Sequence, residues 1–349
     1  NVMVDHQAMT GPGGVALEAD TPLYRFEQWA KASKQNNTKV WMQINHPGRQ
    51  VYAKMKGKVY SSSDVALNMG KMSKLFGKPS PMTVAQINDV ITRFGDTAVK
   101  AQKAGFDGVE IHAAHGYLLA QFLSPLVNMR EDEWGGSLEN RARLLIAIIK
   151  EVKLRVGSNF GIGVKINSAD FQRGGFDSDD ALKVIQMLEP LNIDLVELSG
   201  GSYETPAMQG VTSDGRTLAR EAYFLSFAQA ISSKTNIPIM TTGGIRRLPV
   251  AEKVVSNGIA LVGIATGLAM VPDLPNQWND DPTLEASYPV VSLKNKMFKA
   301  LATMAIVKLN LRRIGEGKKA KKKVFVLLTL VADQVRTAKL TKRYLRFKR

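Results

Sequence analysis

The chain has 349 residues, 44% of them hydrophobic, and no apolar run reaches the roughly 18 residues of a membrane span, so a sizeable buried core is available and a helical membrane protein is excluded. It contains no cysteine, which rules out disulfides, thiolate nucleophiles and cysteine-held clusters; with no signal-like start, a cytoplasmic location is expected. The formal charge of +16 suggests an anionic partner until it is located: residues 291–349 hold 18 of the 47 Lys+Arg and 2 of the 31 Asp+Glu, so the first 290 residues are balanced.

Short, largely buried strands are predicted at 1–4, 39–44, 108–112, 161–167, 194–199, 239–241 and 261–264. Helices are predicted between them at 23–35, 84–104, 137–156, 179–188, 219–234 and 249–257, with Ser137 as an N-cap. Strand and helix alternating over this length imply a parallel sheet covered by helices, either a closed (β/α) barrel or an open doubly wound sheet. No GxGxxG follows the first strand, which disfavours the open dinucleotide-binding form. Seven strands are recognisable where a barrel wants eight, and residues 291–349 are expected to be a basic helical extension packed on the barrel or trailing from it. An anionic polymer or membrane surface is the alternative partner for that tail.

Strand phase then selects candidate site residues. In "VWMQIN", Trp41, Gln43 and Asn45 oppose Met42 and Ile44; in "VEIH", Glu110 and His112 oppose Val109 and Ile111; in "IGVKIN", Lys165 and Asn167 oppose Val164 and Ile166. Three strands therefore carry a polar side chain near their carboxyl ends, where barrel enzymes keep their chemistry. His115 lies three residues past His112. A metal held by Glu110, His112 and His115 is disfavoured, because a deep strand glutamate would have to share it with a loop histidine. Two glycine-rich turns, "TTGGI" with Gly243 and Gly244 and "VGIATG" with Gly263 and Thr266, follow the last two strands, the usual place for a phosphate in such barrels.

The stretch "HAAHGYLLAQFLSPLVNMREDEWGGSLENRARL" (112–144) resembles the central signature of the Old Yellow Enzyme family of FMN-dependent NAD(P)H:flavin oxidoreductases, and "GVKINSADFQRGGF", "ELSGGSYE", "TTGGIR" and "AMVPDLP" follow in that family's order. The resemblance implies an eight-stranded barrel holding FMN at its mouth, with NAD(P)H as reductant and an enone-type alkene as substrate. It implies that His112 and His115 bind the substrate oxygen, that Tyr117 protonates the α-carbon, that Gln43 and Lys165 contact the flavin pyrimidine edge, and that the Gly243–Gly244 turn, with Gly263 and Thr266, takes the phosphate. Thr266 stands where many members have arginine, so weaker FMN affinity is expected. The start, "NVMVD", resembles the family's second barrel strand, so one further βα unit is expected upstream, and the apolar run 324–331 is the internal candidate to fill the slot, as strand or helix. A Schiff-base lyase using Lys165 remains an alternative. A homo-oligomer is possible, and no specific nucleic acid is expected.

Overall fold

The computed structural model describes residues 1–207, 221–293, 296–321 and 323–347. Ten strands are present among them: β1 (Val2–Met3), β2 (Val15–Ala16), β3 (Trp41–Asn45), β4 (Tyr60–Ser61), β5 (Ser80–Pro81), β6 (Gly108–Ala113), β7 (Gly161–Asn167), β8 (Leu195–Ser199), β9 (Ile239–Thr241) and β10 (Leu261–Val262). Eight of them form one parallel sheet in the order β10-β9-β8-β7-β6-β3-β1-β2, while β4 and β5 pair separately. All seven expected strands are in that sheet, and the eighth member is β2, whose two residues were too few to read as a strand.

Eleven helices accompany the described strands: α1 (Tyr24–Ser33), α2 (Val84–Lys103), α3 (Leu118–Leu123), α4 (Leu138–Arg155), α5 (Ser178–Leu188), α6 (Leu225–Ser232), α7 (Leu248–Ser256), α8 (Thr266–Met270), α9 (Leu274–Asp280), α10 (Lys296–Gly315) and α11 (Val326–Phe347). Their starts follow from capping chemistry. Thr83 and Gln86 form a reciprocal capping box at α2, the Ser137 hydroxyl accepts from Asn140 N at α4, and Asp177 accepts from two amides at α5. The helix expected at 219–234 begins at Leu225 among the described residues, because Ala222 takes a left-handed φ of 54° just before it; positions 219 and 220 lie outside the described residues.

The two faces of the sheet differ in chemistry. Met42, Ile44, Val109, Ile111, Val164, Ile166, Val196 and Leu198 point outward and share one apolar core with Ile87, Val90 and Phe94 of α2 and Leu145, Ile148 and Val152 of α4. The alternate residues point inward, and three of them, Asn45, His112 and Glu197, are nearly inaccessible to solvent. A sheet that buries its polar face without a second helix layer has curled around that face, as a barrel does.

At the closed end of this interior, Trp41 lies across Gly108, Gly161 and Gly163 of the next two strands. A Cβ at Gly161 would sit 2.2 Å from the indole, which Gly108 and Gly163 also hem in. Gly161→Ala is therefore expected to cost about 1–3 kcal/mol through overpacking, seen as a lower urea midpoint with an unchanged m-value.

The apolar run 324–331 supplies no strand; its last six residues open α11. Helix α10 packs on α8, the helix that follows β10, and Asn310 Nδ2 approaches Met270 Sδ at 3.1 Å. Helix α11 reaches the other end of the sheet order, where the Tyr344 hydroxyl donates to His6 O at 2.8 Å and Leu340 lies against Gly13. Between the two helices, Asp333 is buried against Lys308 at 3.2 Å and Arg312 at 3.5 Å. Among the described residues, no helix is long and apolar enough to cross a membrane.

Candidate active site

Strand register assembles the site. Gln43 is the partner of Glu110, Lys165 that of His112 on one side and Glu197 on the other, and Asn167 that of Ser199. These residues occupy the inner face toward the carboxyl ends of β3, β6, β7 and β8. Just past β6 the chain turns through His115, held at a left-handed φ of 59°, and Gly116, so that His115 N donates to Asn167 Oδ1 at 3.0 Å. A non-glycine residue in that region is strained, and here the strain folds the second imidazole back over the first.

The result is a tight aromatic group. The His112 ring is 5.0 Å from that of His115 and 4.9 Å from that of Tyr117, both edge-on. His112 Nδ1 accepts from Ala114 N at 3.2 Å, which leaves Nε2 as the protonated donor of a neutral ring. His115 Nε2 lies 2.7 Å from Ser199 Oγ. Burial, then the neighbouring His115 and Lys165, holds His112 well below the usual imidazole range; burial and Lys165 push His115 down to about 3. Both are neutral near pH 7. Burial raises the Tyr117 phenol, which therefore stays protonated.

Under the histidines lies a charged floor. Gln43 Nε2 donates to Glu110 Oε2 at 2.5 Å, and Lys165 Nζ pairs with Glu197 Oε1 at 2.6 Å. Burial and the Glu197 carboxylate push Glu110 up to about 8. The ion pair counts against Lys165 as a Schiff-base nucleophile, since its nitrogen is already engaged with the Glu197 carboxylate.

Thus Gln43, Lys165, His112, His115 and Tyr117 come together. The glycine turns sit apart, at the ends of β9 and β10. Gly243 and Gly244 have φ of 124° and 70°, and a Cβ on either would strike Tyr223, whose ring covers the turn. Gly263 is packed against Met240 and Thr242, and Thr266 is the first residue of α8. An FMN would need polar contacts along its isoalloxazine edge and a small-residue turn for its phosphate. The interior meets that demand: Asn45 Oδ1, on the inner phase at the end of β3, is buried without a hydrogen-bond partner among the described residues, and only glycine fits at positions 243 and 244. Among the described residues, Tyr223 lies against both glycines of that turn.

Some site residues escaped the sequence reading. Glu197 and Ser199 sit on the same polar phase of "DLVELS" that singled out Lys165, so the signal was present. Tyr203, two residues past "SGG", places its hydroxyl 3.2 Å from that of Tyr117, and its ring belongs to an aromatic chain with Phe76 and Tyr52 over the histidines. Nothing in local periodicity marks it. Asp5, His6 and Glu18 form a separate cluster with metal-ligand spacing, but Lys58 at 3.0 Å and Arg93 at 2.9 Å already neutralise its carboxylates.

Fold and site together define a parallel (β/α) barrel enzyme with a neutral, donor-rich mouth. The family model described as the NADH:flavin oxidoreductase / NADH oxidase family matches residues 1–284, and the chain belongs to that family. It is 37% identical over 299 residues to the NADH-dependent flavin oxidoreductase iliE of Hypocrea jecorina, covering 79% of this chain and 74% of that protein. Among solved structures it resembles a 2-naphthoyl-CoA reductase in complex with 2-naphthoyl-CoA, with a TM-score of 0.74 and 25% identity over 82% of this chain and 45% of that one. The Old Yellow Enzyme homologue of Zymomonas mobilis, at 21% identity and a TM-score of 0.68 over 81% of this chain and 79% of that one, shares the fold. The chain is thus an FMN-dependent oxidoreductase of that family, with NAD(P)H as reductant.

Proposed function

We propose that this enzyme reduces alkenes activated by a conjugated carbonyl, with His112 and His115 binding the carbonyl oxygen and Tyr117 delivering the proton. The observation that carries this reading is the neutral imidazole pair set edge-on to a protonated tyrosine, with the Nδ1 of His112 already satisfied so that Nε2–H is the free donor. Two neutral donors at one oxygen polarise the alkene and stabilise the charge that develops there as its β-carbon is attacked. If Ser199 donates its hydroxyl proton to His115 Nε2, the opposite nitrogen of that ring carries the second N–H.

FMN, when bound, accepts reducing equivalents from NAD(P)H and supplies a hydride from N5 to the β-carbon. Gln43 and Lys165 would hold its pyrimidine edge, the Gly243–Gly244 turn its phosphate, with Gly263 and Thr266 beside it. Tyr117 keeps its proton because its pocket is desolvated, so it can donate to the α-carbon as a general acid. The aromatic chain of Tyr52, Phe76 and Tyr203 excludes water from that transfer. A carbonyl conjugated to an unsaturated ring is also what the 2-naphthoyl-CoA of the structural relative presents.

Stopped-flow mixing of photoreduced protein with a simple enone should restore the oxidised flavin band well before dissolved oxygen does. If enones, maleimides and quinones all reoxidise it no faster than oxygen, the substrate assignment is wrong.

A further inference from the structure

Two carboxyl groups beneath the histidines take no part in the chemistry above. Glu110 and Glu197 stand on β6 and β8, with β7 between them, and Gly163, the β7 register partner of Glu110, puts no side chain in the way. Outward from the pair, Glu110 accepts from Gln43 Nε2 and Glu197 accepts from Lys165 Nζ. The row Gln43, Glu110, Glu197, Lys165 therefore crosses four adjacent strands on the inner face, with two buried carboxyls set beside a single ammonium.

We propose that Glu110 and Glu197 share one proton and serve as a positioning pair that fixes the orientation of Gln43 and the charge of Lys165 toward the flavin, and so sets how the potential of bound FMN depends on pH. The proposal rests on the reading of Gln43 and Lys165 as the residues at the pyrimidine edge. With its amide nitrogen committed to Glu110, Gln43 keeps its carbonyl oxygen as an acceptor, which suits an imide N–H. With one proton committed to Glu197, Lys165 keeps two donors for a carbonyl oxygen. The two halves are complementary to the donor and acceptor pattern of a pyrimidine-dione edge; loss of Glu110 frees the Gln43 amide to flip, and loss of Glu197 removes the group that holds the Lys165 ammonium in place.

The charge count explains the shared proton. One ammonium, one carboxylate and one carboxylic acid sum to zero, whereas loss of the proton leaves a net negative charge in a poorly solvated interior. His112, the imidazole facing the pair, does not alter that count near neutrality, because burial keeps its ring neutral. Burial and Glu197 hold the Glu110 proton far above the ordinary carboxyl range. Once that proton leaves at alkaline pH, the added negative charge opposes placing electrons on a flavin next to it. The potential should then fall more steeply with pH than it does at neutrality.

Two measurements test this. Infrared difference spectra of protein carrying ¹³C-labelled glutamate should show, at pH 7, the carbonyl stretch of a protonated glutamic acid, lost on raising the pH and lost in both Glu110→Gln and Glu197→Gln. Each variant keeps the side-chain volume but leaves a single carboxyl to balance the Lys165 charge. The midpoint potential of bound FMN, followed from pH 6 to 10, should show a steepening on the alkaline side in the wild type that both variants lack. Absence of the acid band from wild-type protein at pH 7 overturns the proposal, as does a steepening that persists in both variants. The band reads the protein whatever occupies the mouth. Failure of the pyrimidine-edge reading would show separately, as an acid band that behaves as expected in a protein whose FMN affinity is unchanged by Gln43→Ala and Lys165→Met.

Discussion

Tyr117→Phe should slow the oxidative half-reaction with an enone by about 10²- to 10⁴-fold, the usual worth of a general acid, while phenol binding changes little. The separation follows from geometry. The Tyr117 hydroxyl is engaged with Tyr203 and its ring lies edge-on to His112, so removing the hydroxyl deletes a proton source without moving the donors that hold the substrate oxygen. The converse variant, with both His112 and His115 replaced by alanine, removes two hydrogen bonds to that oxygen. At about 0.5–1.5 kcal/mol each it should weaken phenol binding by roughly 10- to 100-fold and slow the oxidative half-reaction, with flavin reduction by NAD(P)H less affected. Phenol titrations and single-turnover traces for the two variants check the division. Equal loss of phenol affinity in both would mean that the histidines and the tyrosine act as one binding unit. Because His115 titrates only near pH 3, phenol affinity should not fall between pH 8 and 5 through loss of a neutral imidazole.

Much of this site was legible because a buried barrel strand obeys a strict period of two. Once Met42, Ile44, Val109, Ile111, Val164 and Ile166 are taken as outward, Gln43, His112 and Lys165 have nowhere to go but inward. The same logic extends to Glu197 and Ser199, whose strand was expected at 194–199 and whose polar phase matches that of Lys165 and Asn167. Tyr203 was not legible, since its role depends on a loop from β8 meeting a loop from β6, which no local pattern encodes. The short strand β2 was equally invisible: its pairing is specified by β1 across a turn, not by two residues of its own. The tail presented a real ambiguity, because "VFVLLTLV" suits strand and helix alike. Helix wins where the following residues supply helix formers and where Asp333, one turn further on, finds Lys308 and Arg312 on α10.

Acidification should destabilise the fold well before its ordinary carboxylates titrate. His46, His112 and His115 are buried as neutral rings, with desolvation the largest cause in each; His46 is held down to about 4 and His115 to about 3. A histidine whose folded pKa is depressed costs stability as pH falls, because the unfolded chain takes up a proton near pH 6.5 that the folded chain refuses. Each group then costs about 1.4 kcal/mol per pH unit, so at pH 4.5 His46 and His115 together cost about 5 kcal/mol relative to neutrality. Glu110 works in the opposite sense. Its raised pKa contributes stability that is fully present below the unfolded value and is lost as pH rises through about 8, so over the same two pH units it returns about 3 kcal/mol. The balance is a net loss of about 2 kcal/mol by pH 4.5, deepened by His112, against a typical total of about 5–15 kcal/mol. Stability should therefore peak near about pH 6.5, falling on the acid side through the histidines and on the alkaline side through Glu110 until about pH 8. Urea midpoints measured at pH 9, 7.5, 6 and 4.5 would trace the peak. His46→Gln, which keeps a neutral polar side chain, should flatten the acid side, and Glu110→Gln should flatten the alkaline side. Equal midpoints at pH 7.5 and 4.5 in the wild type would mean that these imidazoles reach solvent and bind protons without unfolding, which the enclosed barrel interior does not allow.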